Sequence, residues 1–277
     1  MERKFVGAGL LSGLIAGIVA FVYARIFVEP QVAKAIDYEE YREHAEEDMH
    51  AAMGHAHEHG GHEHGELFSR SVQENIGAGT GTVVFALCIG AFFAVAFTLL
   101  WAYVGRRFAG ADPRSVAGLL GVIGFVAVIG VPFFVYPPNP PAVGEEDTIG
   151  SRSASYLTLT IVSLVVAALA IWIALALWDR LGGLVSGVVA SVGYLVVMTV
   201  TAALLPSFQE VPGPVEHDGV IYGAGFPGQV VADFRVYAIA NQVILWTVLV
   251  TAFCLILGVM MKRDADTAEH RSDAAAV

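Results

Sequence analysis

Long blocks of apolar residues, almost free of Asp, Glu, Lys and Arg, alternate along the chain with shorter polar stretches. An uncharged apolar block of about 18 residues or more reads as a membrane-spanning helix, because about 20 residues at 1.5 Å rise cross the hydrocarbon core. Six such blocks can be drawn, at 5–27, 77–104, 116–136, 154–178, 182–205 and 234–261. Each ends on a plausible stop: Glu29 and Pro30, Arg106 and Arg107, Pro137 and Pro138, Asp179 and Arg180, Pro206, and Lys262 and Arg263. The pattern predicts an all-α integral membrane protein, a bundle of about six transmembrane helices in which 1–277 form a single membrane domain. Cleavage of the first block as a signal peptide would leave five. Its apolar stretch is longer than the usual core of about 7–15 residues and lacks a small-residue cleavage site, so an uncleaved helix is expected.

Within the blocks, Gly9, Gly13 and Gly17 recur every four residues and stack on one helix face, as do Gly118, Gly121 and Gly124 at spacings of three. Small residues at such spacing let two backbones approach closely in lipid. The same faces permit association with a second copy of the chain. Ionisable side chains are almost absent at membrane depth. Arg25 lies near an end, and Asn241 and Gln242 are the most polar pair inside a span. No phosphate-binding loop of the GxxxxGK[ST] type occurs, so ATP hydrolysis by that route is excluded.

Charge orients the bundle, since short cytoplasmic loops carry an excess of Lys and Arg. With the N-terminus inside, the inner segments hold Arg3, Lys4, Arg106, Arg107, Arg114, Arg180, Lys262, Arg263 and Arg271. The outer ones hold Arg25, Lys34, Arg42, Arg70, Arg152 and Arg235 and are far longer. The expected location is therefore the cell membrane, multi-pass, with both termini cytoplasmic, an extracytoplasmic loop at 28–76 and a short cytoplasmic tail at 262–277. Composition agrees: 56% of residues are hydrophobic and only 15% charged. The net charge of -11 argues against a nucleic-acid partner, which needs a basic face.

The chemistry collects in the outer segments. Seven of the nine histidines fall between His44 and His64. The densest part contains His55, His57, Glu58, His59, His62, Glu63 and His64, with a near repeat of His-Glu-His-Gly. Neutral imidazole binds Co, Ni, Cu and Zn well, and carboxylate neutralises their charge. The preceding stretch reads as a polar helix on which Glu40, His44 and Asp48 share a face. The candidate metal ligands are thus His44, Asp48, His50 and the seven residues of the dense part. The alternative is a solvated acidic loop that binds no metal. Cys88 and Cys254 fall inside apolar blocks and read as packed hydrophobes.

Two further outer segments stand out. Four prolines, 137, 138, 140 and 141, surround Asn139 and predict a stiff, extended exit from the third span. The other runs from Leu205 and Pro206 through Glu210, Val211 and Pro212 into a Gly-rich loop holding His217 and ending at Phe234 and Arg235. An ion pair between Glu210 and Arg235 is expected there.

Taken together these stretches resemble the CbtA family, the predicted cobalt transporter subunit, over nearly the whole chain. The resemblance rests on Glu29, Pro30, Gln31 and Val32 with Ala35 and Ile36; on the His-rich loop; and on Tyr136 through Gly144 with Thr148, Ile149 and Arg152. It continues through Leu205 and Pro206, Glu210 to Pro212, Phe226 and Pro227, Phe234 and Arg235, and Gln242 with Trp246. Two features depart from the family: six helices are counted where five are usual, and Gln209 replaces the Asn expected before Glu210. The resemblance implies a membrane subunit associated with cobalamin synthesis and paired with a small partner, CbtB, that carries its own metal-binding histidines.

The expected function is that of a membrane subunit for transition-metal uptake, with Co²⁺ as substrate and the His-rich tract as its capture device. Glu29, Asn139, Arg152, Glu210 and Arg235 are expected to shape the mouth, and Asn241 and Gln242 the passage. The alternatives are a membrane-anchored metal sensor or scaffold, or a permease for nickel, zinc or a corrinoid. No prosthetic group is expected. The loops carry no Ser/His/Asp or HExxH arrangement, so an enzyme is not expected. The implied partners are the lipid bilayer, a divalent metal ion, the small subunit and a second copy.

Overall fold

The structure, a computed structural model, describes residues 2–53 and 69–275. Among them five helices are long and apolar enough to cross a membrane: Lys4–Ala52, Arg70–Arg107, Pro113–Val135, Ile149–Leu204 and Gly228–Arg263. The first does not stop at Glu29 and Pro30. Helix α1 (Glu2–Tyr23) passes through a π-helical turn, Ala24–Val28, into α2 (Glu29–Ala52). A proline ring clashes with the carbonyl four residues earlier and offers no N–H. Widening the helix just before Pro30 relieves the clash, so the chain stays helical. The same device precedes Pro132, where α5 (Pro113–Phe125) passes through a π turn, Val126–Gly130, into α6 (Val131–Val135).

The second long helix begins earlier than the sequence suggests, with α3 (Arg70–Val72) and a π turn leading into α4 (Ala78–Arg107). A short connection follows. Asp112 Oδ1 accepts the backbone N–H of Arg114 at 2.9 Å and opens α5.

The chain divides into two compact units. The first comprises Met1–Tyr23, Arg70–Phe125 and Ala240–Val277. In it α1 and α4 run antiparallel at backbone contact: Gly9 faces Gly90, Gly13 faces Ala86, and Gly17 faces Val83. Phe97 is the hub of the packing. Its ring meets Phe5 at 5.4 Å and Phe253 at 5.2 Å and stacks on Trp101 at 6.2 Å. Phe253 belongs to α8 (Gly228–Ala275), which packs antiparallel on α5 through Gly121 against Val250 and Gly124 against Trp246. Between these two helices lies an apolar groove of about 290 Å³, lined by Gly118, Gly121, Phe125, Trp246, Val250 and Thr251 among others.

The second unit comprises Ala24–Ser69 and Val126–Ile239. Its largest element is α7 (Ile149–Leu204), two helices merged across a break at Gly182, where φ is 76° and ψ 160°. The two arms fold back on each other. Ser163 Oγ and Tyr194 Oη are 2.8 Å apart, whereas 31 residues of straight helix would separate them by about 46 Å. The expected loop at 179–181 is helical, and the reversal is made at Gly182. That conformation is essentially open only to glycine, so Gly182→Ala should destabilise the hairpin by roughly 1–3 kcal/mol. Titration with a denaturing detergent would check it, and an unaltered midpoint would show that the reversal does not depend on this residue.

The Gly-rich loop is also more ordered than expected. It forms an antiparallel hairpin of β1 (Val215–His217) and β2 (Val220–Gly223), the only strands among the described residues. Asp218 and Gly219, with φ of 49° and 79°, make the tight turn that the strand twist favours. A small apolar core of Ala35, Tyr38, Val143, Phe226, Val230 and Val231 joins α2 to the loops of this unit.

Candidate functional site

The buried residues of α2 are Gln31, Ala35, Tyr38 and Ala45, spaced three, four and seven apart, so they form one stripe. The stripe clips onto the hairpin segment. Tyr38 Oη donates to the Ala224 carbonyl at 3.2 Å, Tyr41 Oη accepts the Ala224 N–H at 3.2 Å, and Arg42 Nη1 donates to the Gly213 carbonyl at 3.0 Å. Holding that stripe turns the other face outward. Glu40, His44, Asp48 and His50 are all exposed, and His44 Nδ1 lies 3.6 Å from Glu47 Oε2. Among the described residues no group of three His, Cys, Asp or Glu side chains is placed to hold a metal ion. His55, His57, Glu58, His59, His62, Glu63 and His64 lie outside the described residues.

The expected mouth residues form two locks within the second unit. In the first, Glu210 Oε2 accepts the backbone N–H of Glu145 at 3.0 Å. The Thr148 hydroxyl lies 2.9 Å from the same oxygen and 3.0 Å from the Glu145 carbonyl, with one proton to share between them. Arg152 Nε stands 3.4 Å from Glu210 Oε2, near enough for an ion pair but without hydrogen-bond geometry. Arg152 Nη2 donates to the Glu145 carbonyl at 3.0 Å. Gly144, at φ 128°, lets the guanidinium in, since a β-carbon there would collide with it.

The second lock is Arg235, whose Nη2 donates to Asn139 Oδ1 at 2.7 Å and whose Nε donates to the Pro138 carbonyl at 3.3 Å. The expected Glu210–Arg235 pair therefore does not form. Arg235 is satisfied by the proline-rich segment itself, and Glu210 by the stretch that follows it into α7. A third tie, Tyr136 Oη donating to the Pro206 carbonyl at 2.6 Å, joins the same two loops.

These contacts hold the Glu210 carboxyl below the usual carboxylate range. The Glu145 N–H contributes most to that lowering, with help from Thr148 and Arg152 and with partial burial opposing. A carboxylate whose folded pKa is depressed adds stability above its ordinary value of about 4.3, and that stability is lost as pH falls through the folded value. Thermal unfolding in detergent should therefore show a loss between pH 6 and the acid limb below about pH 4.3 that Glu210→Gln lacks. Equal acid losses in both proteins would sever the link to Glu210.

Glu29 is half-buried at the first position of α2, directly after the π turn. Asn241 and Gln242 lie in the first unit, and the oxygens Asn241 Oδ1 and Gln242 Oε1 are buried without a hydrogen-bond partner among the described residues. The reading of the sequence missed Ser163 and Tyr194. Ser163 Oγ donates to the Ala127 carbonyl at 2.7 Å, so the Tyr194 hydroxyl donates to Ser163. A tyrosine in mid-span was the available signal, since a buried Tyr hydroxyl usually has a partner.

Long apolar helices, a polar helix with an exposed acidic and histidine-bearing face, and interlocked loops define an all-α polytopic membrane protein. Among known families the one described as probable cobalt transporter subunit (CbtA) matches residues 2–258. The chain belongs to the CbtA family, and it is a cobalt transporter subunit in the sense of that family. No curated protein and no solved structure matches it.

Proposed function

We propose that this chain is the membrane subunit of a Co²⁺ uptake system that supplies cobalamin synthesis, and that it collects the ion on the outer side of the cell membrane. The observation that carries the reading is the exposed face of α2. Glu40, His44, Asp48 and His50 line it, and the helix leads directly into the tract that holds His55, His57, Glu58, His59, His62, Glu63 and His64. Imidazole and carboxylate at this density raise the local concentration of a divalent transition metal. In this reading both termini are cytoplasmic and the two arms of α7 each cross the bilayer, which makes six crossings. The Glu210–Arg152 and Arg235–Asn139 locks stiffen the mouth, and the ion passes Asn241 and Gln242. A small second subunit of the CbtB kind completes the system.

The test is uptake of radioactive Co²⁺ into proteoliposomes, with nickel and zinc as competitors. Removing residues 53–65 should lower uptake at limiting Co²⁺ and leave it intact at saturating Co²⁺. Unchanged uptake at limiting supply would remove the capture role. Metal binding without uptake by the chain alone, restored by a second subunit, supports the transporter reading. Metal binding with no uptake under either condition favours a sensor or scaffold.

A further inference from the structure

Four polar atoms in the first unit are buried and have no hydrogen-bond partner among the described residues: Ser12 Oγ, Asn241 Oδ1, Gln242 Oε1 and Trp246 Nε1. Ser12 is 0% exposed and Trp246 6%. In a hydrocarbon surrounding, where backbone and side-chain polar groups must be met internally, such atoms destabilise the fold unless water or a ligand reaches them.

Their depth in the bundle agrees. Phe5, Phe97 and Phe253 meet ring to ring and set one level across α1, α4 and α8. The antiparallel contact of α1 and α4 brings Gly13 to Leu87, so Ser12 stands at the height of Leu87. The chain turns back from α4 to α5 through the short connection at 108–112, the two helices touch, and α8 runs antiparallel to α5, so α4 and α8 are taken to run the same way. Ten positions before Phe97 is Leu87, and ten before Phe253 is Val243. Ser12, Gln242 and Trp246 therefore lie within about one helical turn of a common level, each well inside its apolar stretch. Gln242 and Trp246, four residues apart, share a face of α8.

We propose that Ser12, Asn241, Gln242 and Trp246 form an internal hydrated site at mid-depth that takes a divalent cation together with its water shell. The proposal rests on the uptake reading above and specifies how the ion crosses. Two amide oxygens, a hydroxyl and an indole N–H carry no net charge, so they are a poor exchange for the inner water of a divalent ion. They are suited to that water itself. Coordinated water donates to the amide oxygens, and the Trp246 N–H donates to a water oxygen. Outer-sphere contact of this kind ignores ligand softness. The site therefore passes Co²⁺, Ni²⁺ and Zn²⁺ alike, and discrimination between them is made elsewhere.

Two measurements test this. The first uses a chain whose only tryptophan is Trp246 (Trp101, Trp172 and Trp178→Phe) in phosphatidylcholine nanodiscs. Its emission should rise in D₂O and be quenched saturably by Co²⁺, with at least tenfold weaker quenching after Gln242→Met. An emission indifferent to D₂O and to Co²⁺ overturns the site. The second uses the otherwise natural chain in proteoliposomes. Ser12→Ala and Gln242→Met should cut maximal Co²⁺ uptake at least tenfold, leave half-saturation unchanged, and leave thermal stability equal or higher, because no hydrogen bond between protein groups among the described residues is removed. Undiminished uptake overturns the proposal while leaving the transporter reading intact. Absence of uptake by the natural chain, even with a second subunit, would instead remove the uptake reading, and the D₂O response would still decide whether the site is hydrated.

Discussion

Replacing Gly9 with valine should force α1 and α4 apart and leave little protein folded after extraction. A β-carbon at Gly9 collides with the carbonyl oxygen of Gly90 and lies 2.5 Å from Ala94 Cβ. Overpacking in a core usually costs roughly 1–3 kcal/mol because side chains find other rotamers. Here the obstacle is backbone, which cannot rotate away, so the cost should exceed that range. The two helices make the most extensive contact between elements in the structure, and small residues at the contact are what allow close packing without a hydrophobic driving force. Gly7, two residues earlier, meets nothing within 4 Å, so Gly7→Val should behave like the natural protein. The check is the fraction that stays monodisperse on heating in mild detergent. Equal survival of the two variants would mean that the helix pair tolerates separation.

Phe97→Ala should be the most damaging truncation in the same unit. The ring is 0% exposed and touches Phe5, Trp101 and Phe253. Removing a buried phenylalanine typically costs about 3–5 kcal/mol through lost contacts and the cavity left behind. Phe92 lies on the same helix but is 72% exposed. Its truncation should change stability by no more than about 0.5 kcal/mol, the usual range for surface positions. Denaturation in mixed micelles measures both. A small loss at Phe97 would indicate that the aromatic cluster collapses around the gap.

Much of the architecture was legible because the membrane imposes a length. The apolar blocks at 77–104, 116–136 and 234–261 coincide with the membrane-length helices Arg70–Arg107, Pro113–Val135 and Gly228–Arg263, with ends that differ by a few residues to about two turns. The spacing of Gly9, Gly13 and Gly17 likewise announced a close helix contact, though nothing in the spacing named α4 as the partner. Pro30 was misleading, because a proline reads as a stop unless a π turn precedes it, and no residue type marks such a turn in advance. The Asp218 and Gly219 turn was a readable hairpin signal that the surrounding glycines obscured.

The candidate site was legible in membership and not in pairing. Asn139, Arg152, Glu210 and Arg235 were all expected near one another. Glu210 had two cations within reach of the same loops, however, and only the reversal of α7 at Gly182 brings residues 145–152 back beside residues 206–210. Arg235 is meanwhile occupied by Asn139. By itself the sequence determined where the chain is apolar enough to span, which small residues permit contact, and where imidazole and carboxylate concentrate. These are properties of composition and period along one strand of chain. The tertiary structure alone decided that Arg152 holds Glu210 and that Ser163 meets Tyr194. Each of those depends on the register between helices far apart in sequence, and that register is set by packing summed over many side chains at once.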